Sequence, residues 1–138
     1  MKLLEIVVRC REEIVVKSNR QIAKMILFDG YCKGDLFSGD ILPGGVDTQI
    51  TDGKGNIHLS ARYALQGVDD TGLPATLFIE NEAWSVVGDK SEIITKPTMI
   101  TYSSSLKWLE TDELYGRIMM VNGRLLIRIY NNKKELAK

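Results

Sequence analysis

The stretch "DILPGGVDTQ" at residues 40–49 sets an aspartate, Asp47, just beyond a Gly-Gly pair. A carboxylate carried on such a bend can act as a general base when its surroundings tune it. Its natural counterpart is a guanidinium, whose fork grips a carboxylate through two hydrogen bonds. Arg62, on the next clear strand, supplies one. The pair reads in two ways: as polar anchors for a ligand, with Arg62 holding an anionic group, or as an ion pair tying the bend to its neighbour. Tyr63, Asn81, Trp84 and Trp108 are candidate walls of the same pocket, although aromatics serve equally well as core.

Other chemistry is thinly supported. Gly44 and Gly45 suit a barrel corner, where glycines and bulges let a strand turn. No dinucleotide or P-loop fingerprint follows them, so phosphate cradling is the weaker reading. His58 is the single histidine and sits on the polar face of a strand, without the partners a zinc site or triad needs. Ser103–Ser105 lack a nucleophile-elbow context and read as a loop or cap. Asp69-Asp70 before Thr71-Gly72 has turn composition. Cys10 and Cys32 show neither metal spacing nor CxxC and are expected as reduced thiols. Neither a metal nor a cofactor is expected.

Composition narrows the class. The 138 residues fit one domain, 1–138, with a loose tail from about 132. Hydrophobic residues make up 44% and charged residues 26%, with 18 basic residues balancing 18 acidic ones. Zero net charge provides no long-range field for nucleic acid or anionic membrane, so neither is expected as a partner. It also lowers the barrier to self-association, which favours a homo-oligomer. The opening "MKLLEIVVRC" is broken by Glu5 and reads as a first strand rather than an export signal. A cytoplasmic, soluble protein is the expectation.

Nearly every segment favours strand. "LLEIVVRC", "EEIVVK", "AKMILF" and "LFSGDIL" are rich in β-branched and apolar residues, and "DGKGN" is a hairpin stop. In "NIHLSARYALQG", Ile57, Leu59, Ala61, Tyr63 and Leu65 line one face, opposite His58, Ser60, Arg62 and Gln66. "ATLFIENEAWSVV" is a long strand, and Pro97 in the next one implies an edge or bulge. The only helical candidate is the short "SSSLKWLETDEL". About nine or ten strands with at most one short helix predict an all-β, antiparallel β-barrel, a sandwich being the alternative layout.

The last two runs carry register. Asn122-Gly123 between them is a type I′ hairpin signature. It places Ile118 opposite Ile127 and Met120 opposite Leu125 on an apolar core face. On the other face Arg117 meets Arg128, and like charges in direct opposition need relief. That relief can come from a neighbouring acid, a bound anion or splaying into solvent. Met119, Leu126, Tyr115 and Tyr130 around them suggest an oligomer interface.

The ordered motifs "FDGYCKGDLFSGDILPGGVD", "ARYALQGVDDTG", "KPTM" and "KWLE" together resemble domain-of-unknown-function family 3237, also called uncharacterised protein family 0311. The similarity runs over about residues 3–131. It implies a one-domain antiparallel β-barrel that often self-associates and has no settled activity. Carried over by position, it highlights Asp47, Arg62, Tyr63 and Asp69-Asp70. The chain departs from the pattern at Thr48, where an aromatic is common, at Glu82, where glycine is expected, and at Glu110, where asparagine is usual.

The leading expectation is a small-molecule-binding barrel opening near residues 43–49, its ligand a small organic molecule, with Arg62 favouring an anionic one. The alternatives are a cofactor-independent isomerase or hydrolase using Asp47 and Arg62, and an interaction protein with a filled barrel.

Overall fold

The computed structural model describes residues 1–90 and 93–137. Its strands are β1 (Lys2–Lys17), β2 (Ile22–Cys32), β3 (Phe37–Ile41), β4 (Val46–Thr51), β5 (Ile57–Asp69), β6 (Pro74–Ser85), β7 (Ile94–Thr101), β8 (Tyr115–Val121) and β9 (Arg124–Tyr130). All pairings are antiparallel, and the sheet closes on itself because β1 pairs with both β2 and β9. β3 and β4 both lie between β2 and β5. They are two halves of one stave, broken at Leu42–Gly45, so the nine strands form an eight-staved ring. Eight staves leave an interior just wide enough to be filled by side chains or to hold one small ligand. No helix among the described residues is long and apolar enough to cross a membrane.

The break at residues 42–45, within one stave rather than at a barrel corner, explains the glycines. Gly44 takes φ +110°, open to L-residues only at a cost, and a Cβ on Gly45 would lie 2.9 Å from the Phe28 carbonyl oxygen. The Phe28 N–H donates to the Gly45 carbonyl across this gap. The final hairpin has the expected register, Val121 opposite Arg124, with Asn122 and Gly123 both at positive φ. Arg128, opposite Arg117, is bound by Glu5 of β1 at 2.9 Å, so an acid on the neighbouring strand relieves the like charges. Leu126 and Tyr130, read above as parts of an interface, are buried within the single chain.

One end of the barrel is solid. Leu65, Leu77, Ile79, Ile6 and Ile129 are fully buried there, each worth about 1.5–3 kcal/mol of transfer free energy. The segment read as a helix contains only a short 3-10 turn, Lys107–Glu110. Leu106, Leu109 and Leu114 from this segment join the core and stopper that end. Asp69 ties the stopper down. Its Oδ1 accepts from the Thr71 amide and hydroxyl and the Leu73 amide, and its Oδ2 from the Ser103 hydroxyl. These bonds, the Thr71 hydroxyl foremost, push its pKa down to about 2. A folded-state pKa below the unfolded value of ~3.9 stabilises the fold above that value, and the gain is lost as pH falls towards the folded one. Asp69→Asn is therefore expected to lower the melting temperature at pH 7. Its deficit against wild type should shrink between about pH 4 and pH 2, as read by melts across pH.

Candidate functional site

The other end of the barrel stays open. Pairing of β7 with β8 is confined to Ile94–Arg117 and Thr95–Gly116, and stops short of Pro97, which has no N–H to offer a ladder. A bulge at Arg11 bends β1 away, so that Glu13 and Val15, rather than Glu12, continue its inner face. Between these features lies a cavity of about 400 Å³. Its walls are apolar, with Ile26, Phe28, Leu59, Ile118, Leu125 and Ile127 prominent, and Cys10 stands at its edge. Phe28 meets Tyr63 edge-on at 5.3 Å. Tyr63 lies one inner position along from Ala61, buried in the core behind Phe28 and outside the lining.

Four polar side chains face this space: Asp47, Gln49, Asn81 and Thr95. Pairing explains why. Asp47 lies opposite Ile26 on one side and Ala61 on the other, and Ala61 lies opposite Asn81, which lies opposite Pro97. Residues opposed in an antiparallel sheet share a face, and this row faces inwards. Gln49 Nε2 donates to Asp47 Oδ2 at 2.9 Å, fixing the carboxylate. Asn81 is 4% exposed and Thr95 2%, yet Asn81 Oδ1 and Thr95 Oγ1 find no hydrogen-bond partner among the described residues. The Tyr63 hydroxyl, outside the lining, is also unpartnered, and burial pushes its pKa well up. A buried polar atom without a partner costs ~1–3 kcal/mol. Such a cluster is tolerated where a ligand can satisfy it.

The Asp47–Arg62 pair expected from the sequence does not form. Val46, not Asp47, lies opposite Arg62, so the two side chains point to opposite faces of the sheet. Arg62 is outside, bound to Glu80 at 3.0 Å. Trp84 is also outside, 64% exposed and stacked on His58 at 4.2 Å, while His58 pairs with Glu82 at 2.5 Å. Trp108 sits at the stoppered end, beside Met1, Leu3 and Leu36. Of the six residues expected at the pocket, Asp47 and Asn81 line it; Tyr63 is a core residue packed against Phe28, and Arg62, Trp84 and Trp108 belong elsewhere. Gln49 and Thr95 escaped the sequence reading. Gln49 shares the parity of Asp47 along one strand, which was the available signal. Thr95 becomes informative only once Gly116 is seen to leave room for its hydroxyl, since a Cβ there would lie 2.0 Å from Thr95 Oγ1.

Among the described residues no group of three or more His, Cys, Asp or Glu is placed to hold a metal ion. The departures at Thr48, Glu82 and Glu110 all lie off the cavity lining.

A family model described as "Protein of unknown function (DUF3237)" matches residues 2–131. A UPF0311 protein of Clostridium acetobutylicum is 35% identical over 109 residues, 68% of this chain and 65% of the relative, so the chain spans about two thirds of that protein's length. The crystal structure of a protein of unknown function from Clostridium acetobutylicum matches with a TM-score of 0.77 at 27% identity, covering 94% of this chain and 95% of that one. A β-barrel-like protein from Acinetobacter baumannii gives 0.71 at 21% identity, covering 94% and 92%, a likeness of fold alone.

Proposed function

We propose, on the premise that the chain belongs to the DUF3237 family of proteins of unknown function, that it is a small-molecule-binding barrel whose ligand enters the open end of the lumen. One observation carries this reading: a cavity of about 400 Å³ with apolar walls, whose lining includes the buried Asn81 and Thr95, each with a polar atom that the protein itself leaves unpartnered. The volume falls within the range of ~300–1,000 Å³ usual for ligand pockets. A barrel serving only as a scaffold would gain stability by filling that space with aliphatic side chains.

The test is a thermal-shift screen of a metabolite library against wild type and Ala61→Leu, which grows a side chain into the cavity from its wall. A ligand at 100 times its Kd adds about 2.7 kcal/mol of stability, a shift of several degrees. Hits are expected that stabilise wild type and fail to stabilise the filled variant. Hits that shift both alike would place binding outside the lumen, and a library without hits would count against the reading.

A second reading rests on the carboxylate held by Gln49 within an apolar wall, an arrangement suited to moving a proton without a cofactor. Arg62 has no part in it, because it faces outwards. Conversion of a hit into product by wild type would favour this isomerase or hydrolase reading.

A further inference from the structure

The lumen has a sign. Among the described residues its lining contains one carboxylate, Asp47, and no lysine or arginine. Among the described residues the inner face carries Lys24 opposite Gln49, ion-paired with Glu13 at 3.7 Å. Asp47 Oδ2 accepts from Gln49, and the buried Asn81 adds an unpartnered carbonyl oxygen. Thr95 can donate or accept. Gln49 and Asn81 carry amide N–H donors as well, so what sets the sign of this site is the Asp47 carboxylate, the one acidic group among the four. An incoming carboxylate or phosphate would bring more acceptors and a second negative charge into an apolar enclosure, where like charges repel far more than in water. An ammonium would meet Asp47 through a charge-assisted bond, roughly twice as strong as a neutral one.

We infer that the ligand of this lumen is a small amphipathic molecule with no negative charge, presenting a hydrogen-bond-donating end, best an amine, to Asp47 and Asn81 and an apolar body to Phe28, Leu59, Ile118 and Ile127. This rests on the binding reading above and reverses the anion preference that Arg62 suggested. The body and the donor are both required: the walls alone reward any hydrocarbon, and Asp47 with Asn81 select its end.

The experiment uses four probes that share one body: 4-phenylbutylamine, 4-phenylbutanol, 4-phenylbutyrate and butylbenzene, titrated by calorimetry into the full chain at pH 7. There the amine is a cation and the acid an anion. Expected is an amine at least tenfold tighter than the carboxylate, with the alcohol between them, since one charge-assisted bond is worth about that factor. Asp47→Asn should remove the advantage of the amine over the alcohol and leave the alcohol bound. Asp47→Thr serves the same purpose where the asparagine variant does not fold. A carboxylate bound as tightly as the amine, or an amine preference unchanged in these variants, overturns the inference while leaving a binding lumen in place. Failure of all four probes, butylbenzene included, overturns the lumen reading itself.

Discussion

Gly67→Val is expected to cost more stability than any substitution at the cavity, lowering the melting temperature by about 10 °C or more or driving the chain into the insoluble fraction. Gly67 of β5 lies opposite Gly39 of β3. A Cβ at Gly67 would stand 1.9 Å from the Ser38 carbonyl oxygen and 2.5 Å from the Gly39 Cα. At Gly39 a Cβ would stand 2.4 Å from the Gln66 carbonyl oxygen. These neighbours are backbone, so no rotamer change can make room, and the two strands must part. Parting them costs ladder bonds and uncovers Phe37 and Leu65, both buried beside the pair. We expect a loss of roughly 3 kcal/mol or more, at the upper end of overpacking effects. Gly53→Ala is the contrast: its nearest neighbour would be 3.4 Å away, and the change should stay within about 0.5 kcal/mol. Denaturant titrations of both variants give the comparison, and a Gly67 variant as stable as the Gly53 one would show that the two strands are not packed as described.

How far such features can be read ahead of a structure differs from residue to residue. The Asn122-Gly123 hairpin was legible because a two-residue loop determines its own register, and Ile127 and Leu125 join the core as it implied, whereas Met120, read on the same core face, is 66% exposed and Ile118 37%. Inward Leu59, Ala61, Tyr63 and Leu65 were equally plain, since strand alternation is local. The error over Arg62 was one of parity across strands. Alternation put Arg62 outside, but nothing local fixed Asp47 against it, and a shift of one residue in pairing exchanges the faces. The stave formed by β3 and β4 was hidden for a similar reason: Pro43-Gly44-Gly45 reads as a turn between two strands, and only the shared neighbours β2 and β5 show that the chain carries straight on. The stopper misled in another way. Leu106, Leu109 and Leu114 mimic helical spacing, whereas what they satisfy is the need to fill the end of a barrel.

Asn81→Leu should separate stability from function in opposite directions. Asn81 stands in the inner row between Ala61 and Pro97, neither of which has a side chain that can satisfy its carbonyl oxygen. Leucine has the same branching and carries no polar atom, and its extra bulk can extend towards the cavity, so it removes an unpaired buried acceptor without opening a hole. Removing such an atom is expected to stabilise the protein by about 1–3 kcal/mol, or several degrees in melting temperature. The same change takes from the lumen an acceptor that, with Asp47, would select a donor-bearing ligand. 4-Phenylbutylamine should therefore bind roughly tenfold more weakly, while butylbenzene, which needs only the walls, should keep or improve its affinity. A structural asparagine predicts the opposite pattern: a lower melting temperature, with every probe weakened alike. Melting curves and the two titrations on this one variant decide between these outcomes, because a side chain retained at a cost in stability is retained for what it contacts.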